Sequence, residues 1–266
     1  MSVLKFAPGL LGAAVAFVSS TAHAAIVLTT PNYFENFDRL ISTGTSNVAG
    51  GVLPNGWLFS EAGANANTTY TANTGSSNTG DTYSFGAVGS TDRALGGLRS
   101  GNLIPTFGAQ FTNGLGRAIT GFNLGYLGEF YRLGTTGRAD QLFFEYSTNA
   151  TSLTTGTWTR VSALTFNTPN TGGTVGVRDG NVAANQTALS SRIDGLRVLR
   201  GQSIFVRFID FDAPGSDDSL GIDNFRVEDF TLGGVPEPST WMMMIAGFGF
   251  VGVALRRRRK VRAVIA

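Results

Sequence analysis

Alternation is the dominant signal in the middle of the chain. In AITGFNLGYLG, Phe122, Leu124 and Tyr126 alternate with Gly121, Asn123 and Gly125, a period of two that puts the apolar side chains on one face of a strand. QLFFEYS, GTWTRVSALTF, QSIFVRFIDF and GIDNFRVEDFTL are rich in β-branched and aromatic residues, are bounded by Gly, Asn, Asp or Pro, and read as further strands. No stretch between residues 25 and 232 carries a sustained i, i+3, i+4 apolar stripe with caps. Roughly ten short strands over about 200 residues predict an all-β ectodomain, a two-sheet jelly-roll-like sandwich. NANTTYTANTGSSNTG, residues 65–80, repeats Asn, Thr, Ser and Gly and is expected to be a long surface loop or a flexible linker.

The two ends depart from this pattern. MSVLKFAPGLLGAAVAFVSSTAHAA opens with one cation, Lys5, continues with an apolar stretch from Phe6 to Val18, and closes on Ala22, His23 and Ala24. Small residues at the first and third positions before a cut suit signal peptidase, so residues 1–24 read as a signal peptide cleaved between Ala24 and Ala25. The alternative is a retained membrane anchor, which the short apolar stretch and Pro8 oppose. His23, the single histidine, leaves with this segment, and the chain has no cysteine. Serine- and cysteine-type triads therefore have no base or thiol to use, and no disulfide framework exists.

At the other end, VPEPSTWMMMIAGFGFVGVALRRRRK runs from Val235 to Lys260. Residues 239–255 are uncharged and would make a helix of roughly 26 Å, a short membrane span. The basic cluster at 256–260 would stay on the cytoplasmic side, with Trp241 at the opposite interface. A buried core helix with a solvated basic end is the plainer alternative. Pro236 and Pro238 each fix φ and lack an N–H, so the segment around Glu237 is expected to lie extended and accessible, either as a substrate for an enzyme cleft or as a stiff linker.

Pro236, Glu237, Pro238, Trp241, the short apolar segment and Arg256, Arg257, Arg258 and Arg259 together resemble the PEP-CTERM sorting signal of Gram-negative bacteria. Lys260–Ala266 extends past the basic cluster at which such signals commonly stop. The resemblance implies an exosortase, a polytopic membrane cysteine protease, as the partner that recognises Pro-Glu-Pro. It also implies an intermediate anchored in the inner membrane and a product left at the cell surface or in secreted polysaccharide. ENFDRL and GIDNFRVEDF, each setting acids beside aromatics, loosely resemble the first and last strands of concanavalin-like and carbohydrate-binding jelly rolls, which often pair side by side.

Charge reshapes the picture of the body. The whole chain carries +2, but residues 25–232 hold 13 Arg against 17 Asp and Glu, near −4, with no basic patch of the kind nucleic acid requires. Seven acids fall between Asp210 and Asp229. Asp212, Asp217, Asp218 and Asp223, completed by Glu35 or Asp38 if the first strand lies beside the last, are a candidate calcium shell; a solvated turn is the alternative. Trp57, Tyr70, Tyr83, Tyr126, Tyr131 and Trp158 are either glycan-stacking residues or core. Glu129, Asp140 and Glu145 are the candidates for a carboxylate pair of the glycoside-hydrolase type, and equally ordinary strand charges. Three functions follow: a noncatalytic surface or biofilm-matrix protein near exopolysaccharide, a carbohydrate-binding module, or a carboxylate-based hydrolase.

The mature protein isolated from its host is expected to begin at Ala25. Intact-mass measurement checks this, and surface material that still starts at Met1 or Ser2 would show that the first segment is not a signal peptide.

Overall fold

The computed structural model describes residues 24–47, 53–234 and 238–263. Ala22, Pro236 and Glu237 lie outside them. The first half of the chain forms β1 (Ile26–Leu28), β2 (Tyr33–Glu35), β3 (Thr45–Asn47), β4 (Trp57–Ala62), β5 (Thr69–Asn73), β6 (Asp81–Phe85), β7 (Ala94–Leu98) and β8 (Ile104–Asn113). The second half adds β9 (Ile119–Leu133), β10 (Gln141–Ser147), β11 (Thr159–Arg160), β12 (Phe166–Asn167), β13 (Gly176–Val177), β14 (Gln186–Val198), β15 (Ser203–Asp210) and β16 (Ser219–Leu232), followed by the helix α1 (Pro238–Ala263).

These strands make two mixed sheets that form a sandwich. One runs β1-β8-β15-β10-β11, with β4 also on β8 and β12 also on β10. The other runs β13-β9-β16-β7-β6-β5-β3, with β14 also on β9 and β2 also on β16. β2 lies against β16 through Tyr33↔Val227 and Glu35↔Phe225, so Glu35 of ENFDRL is beside the last strand, but the rest of that segment is not strand and the first strand, β1, pairs with β8. Two pairings, β1 with β8 and β5 with β6, are parallel.

The core follows from the alternation. Phe122, Leu124 and Tyr126 of β9, Leu142 and Phe144 of β10, and Ile204, Val206 and Phe208 of β15 all point between the sheets and are buried. Phe208 packs against Phe107 and Phe144 in its own sheet and against Tyr126 and Phe225 in the other. Trp57 is fully buried, edge-on to Phe37 and Phe225, and its indole N–H donates to the Tyr33 hydroxyl at 2.9 Å. A small second core of Tyr83, Phe85, Ala94, Leu98 and Tyr131 covers the outer face of the larger sheet.

Three expectations need correction. GTWTRVSALTF is not one strand: a 3₁₀ turn, Ser162–Leu164, separates β11 from β12. Its apolar positions, Val161, Leu164 and Phe166, do not keep a period of two, and the turn delivers both Leu164 and Phe166 to the core, where Tyr126 donates its hydroxyl to the Leu164 carbonyl. Residues 65–80 are not wholly loop, because β5 lies within them and buries Tyr70 completely. Thr and Tyr favour strands, and one aromatic is enough to anchor five residues to the sheet. The tail is helical over 239–255, but among the described residues no helix is long and apolar enough to cross a membrane. The 17-residue uncharged stretch holds Gly247, Gly249 and Gly252 beside Ser239 and Thr240, and the charges from Arg256 onward end it. Pro238 opens that helix, where its missing N–H costs nothing, and so does not prolong an extended segment.

Trp57→Ala is expected to destabilise the protein by about 3–5 kcal/mol, through the cavity left between the sheets and the stranded Tyr33 hydroxyl. Urea unfolding of the two proteins side by side measures it, and a loss below about 1 kcal/mol would mean that the site collapses around the missing ring.

Candidate functional site

The six residues proposed as a calcium shell do not converge. Asp212 pairs with Arg99 at 3.1 Å, and Asp217 accepts the Ala213 amide through Oδ1 at 3.0 Å. Asp218 accepts the Gly134 amide and the Thr168 hydroxyl, each at 2.7 Å, while its own amide donates to Asp140, which Arg138 holds at 3.1 Å. Asp223 takes the Asn224 side-chain amide, Glu35 takes the Phe37 amide, and Asp38 takes the Asn36 amide nitrogen. Among the described residues no group of three or more acids is placed to hold a metal ion. Asp212 and Asp218 face arginines, and the other four carboxylates each take a local partner in a different place, so the calcium reading does not fit this geometry.

The same loop instead walls a polar cleft of about 490 Å³ between the ends of β7, β9 and β16. Arg99, Arg132, Asp212, Asp217 and Asn78 line it. Behind the wall sits Asp210, last in the inward row of β15; it is buried, and that burial, with Asp140 and Asp217 near, raises its pKa well above the usual carboxylate value. Its Oδ2 accepts the Arg99 amide at 3.2 Å. Burial, then Asp140, also raises Asp217 to about 6.

The candidate aromatics divide. Trp57, Tyr70, Tyr83, Tyr126 and Tyr131 are buried and belong to the two cores. Trp158 is partly exposed, with the Arg207 guanidinium 3.9 Å from its ring centre. On the same outer face of the smaller sheet, Glu145 binds Arg207 at 2.7 Å and Arg160 at 3.2 Å, and Arg160 covers Phe143 at 3.5 Å. Sequence reasoning passed over Phe143, Arg160 and Arg207. Their signal lay in the outward phase of QLFFEYS and SIFVRFID, visible only once the register sets Glu145 opposite Arg207. The candidate carboxylates are not brought together: Glu145 lies outside one sheet, Glu129 outside the other, and Asp140 is fully buried at the loop end.

The protein-family model described as the PEP-CTERM protein-sorting motif matches residues 234–259. The tail is a PEP-CTERM sorting motif. Such a motif implies an exported protein processed by an exosortase. Of its proposed residues, Trp241 and Arg256 are exposed on α1, and Arg257, Arg258 and Arg259 continue the helix. No curated protein matches the chain in sequence. Among solved structures, TmCBM61 in complex with β-1,4-galactotriose is 10% identical, with 53% of this chain and 72% of that one covered and a TM-score of 0.30. The K2 cleaved adhesin domain of Lys-gingipain is 16% identical, with 76% and 98% covered and a TM-score of 0.39. Arthrobacter globiformis T6 isomalto-dextranase complexed with panose is 10% identical, with 77% and 33% covered and a TM-score of 0.28. These likenesses are loose, and no binding property passes from them to this chain.

A buried acid pair lies on the outer face of the larger sheet. Glu129 of β9 and Asp223 of β16 are diagonal neighbours in the ladder, 2% and 4% exposed. Glu129 accepts the Tyr131 hydroxyl at 2.5 Å and the Gln186 amide at 3.0 Å. Burial pushes Glu129 up to about 7, with Asp92 and Asp179 adding to the effect. Burial pushes Asp223 up to about 8, with Glu129, Asp92 and Asp38 adding.

Both folded pKa values lie above those of the unfolded chain, so the folded state holds more protons and stability falls as pH rises from about 4 towards 8. Glu129→Gln is expected to flatten that fall. Melting temperatures of parent and variant across pH 4.5–8.5 read it out, and equal slopes would show that Glu129 titrates normally.

Proposed function

We propose that this chain is an exported, noncatalytic surface or matrix protein, freed of its signal by signal peptidase, cut by an exosortase, and retained beside extracellular polysaccharide. The observation that carries the reading is the position of the PEP-CTERM motif. It begins at residue 234, directly after β16 ends at Leu232, so removing it takes no strand from either sheet. The sandwich is thus a cargo that processing leaves whole, and the motif is a handle that its folding does not need. The tail, with its basic end, is held at the membrane until cleavage, and the product passes to the surface of a Gram-negative cell or into its biofilm matrix.

A second reading, a carbohydrate-binding module, is favoured by the outer face of the smaller sheet. Trp158 there offers a partly exposed ring beside Glu145, Arg160 and Arg207, groups suited to hydroxyls.

Replacing Pro236 and Pro238 together with Ala is expected to leave export intact and block cleavage, so that cell-associated protein keeps the mass of residues 25–266. A variant processed and released like the parent would remove Pro-Glu-Pro as the recognition element.

A further inference from the structure

We infer that the cleft between the ends of β7, β9 and β16 is a saccharide site that takes the end of a neutral glycan chain. The inference rests on the reading that the sandwich meets extracellular polysaccharide, and it assigns the contact to a place other than the Trp158 face.

The cleft collects polar groups whose hydrogen-bonding capacity is unspent. Arg132 uses one terminal nitrogen on the carbonyls of Gly75 and Ser76, and its other N–H groups have no partner among the described residues. Asp217 uses Oδ1 on the Ala213 amide and leaves Oδ2 free, although the residue is only 7% exposed. The Asn78 amide and the Ser216 hydroxyl, also in the lining, make no hydrogen bond among the described residues. Donors and acceptors therefore face one space in comparable number. Each sugar hydroxyl both donates and accepts, so a polyol can satisfy both kinds at once.

Charge and shape narrow the class. Arg99 and Arg132 are balanced by Asp212 and Asp217, and Arg99 and Asp212 already neutralise each other at 3.1 Å. An anion would meet the two carboxylates and a cation the two guanidinium groups, whereas a neutral ligand meets neither penalty. Leu98 and Val175 are the only large apolar side chains in the lining, too few for an aromatic or aliphatic guest. A volume of about 490 Å³ is in the range of small-molecule sites. The walls are held in advance: Arg99 by Asp212 and the Asp210 carbonyl, Arg132 by two carbonyls, Asp217 by an amide.

Position agrees. β9 and β16 run side by side from Ser219↔Arg132 at the cleft to Leu232↔Ile119 where the chain leaves for the tail. At about 3.3 Å per residue the two points are roughly 40 Å apart. A sandwich held by its C-terminus keeps this cleft at its far end, open to whatever lies beyond the attachment point.

The test is binding of the purified full chain to an array of neutral and glucuronate-containing oligosaccharides, followed by calorimetric titration with the strongest binder. The expectation is saturable binding to a neutral oligosaccharide, weakened at least tenfold by Asp217→Asn and at least threefold by Asn78→Ala, and unchanged by Trp158→Ala. Asn78 is exposed in a loop, so its variant reports on the cleft even if Asp217→Asn fails to fold. No binding to any neutral glycan, preference for glucuronate, equal binding by both cleft variants, or loss with Trp158→Ala would each overturn the assignment. Sorting and cleavage are read by mass in a separate assay, so normal processing without glycan binding would sink the cleft and leave the sorting reading standing.

Discussion

Phe208 touches four other rings, two in each sheet, and the phase of its strand is set by that contact. With Phe208 inward, Ile204 and Val206 must also face the core, and Arg207 and Ile209 must face out. The outward turn brings Arg207 to Glu145 and over Trp158, and the inward row ends by burying Asp210 beneath Arg99. A slip of one residue would put an arginine between the sheets and a phenylalanine in water. The polar face and the wall of the cleft are thus consequences of how one ring packs.

The larger sheet carries a burden that the smaller one does not. Its outer face is covered by Phe85 stacked on Tyr131 at 4.8 Å, a contact that requires flat backbone beneath it. Gly96 supplies that: a Cβ there would lie 2.2 Å from the Leu220 carbonyl and 2.9 Å from the Phe85 ring. Covering the face also removes Glu129 and Asp223 from water without giving either a cation among the described residues, and the raised pKa values of both follow from that burial.

The long strands were legible because β9, β10 and β15 each keep a period of two over seven or more residues, and β16 keeps it on either side of one register shift, with Leu220 and Ile222 before it and Phe225 and Val227 after. The tail was legible because its signal is contiguous. β5 was not, since a single Tyr70 among Thr, Asn and Gly leaves no period to count, and the break at Ser162–Leu164 was hidden in a run of good strand formers. The calcium shell was misread because a sequence shows where acids cluster and not what meets them; Arg99 and Arg138 come from elsewhere in the chain. The cleft had no local signature at all, since Asn78, Arg99, Arg132 and Asp217 belong to four separate segments that only the sheet order brings together.

The pairing of β2 with β16 has a consequence for the order of events in the cell. β16 lies between β9 and both β7 and β2, near the middle of its sheet, yet it is the last strand to be synthesised. Until it arrives, the edge of β9 that it pairs with has no partner, and contacts as remote as Glu35 with Phe225 cannot close. Closing such distant contacts is slow. A chain built this way completes its fold only when the last strand, with the sorting motif directly behind it, has joined the sheet.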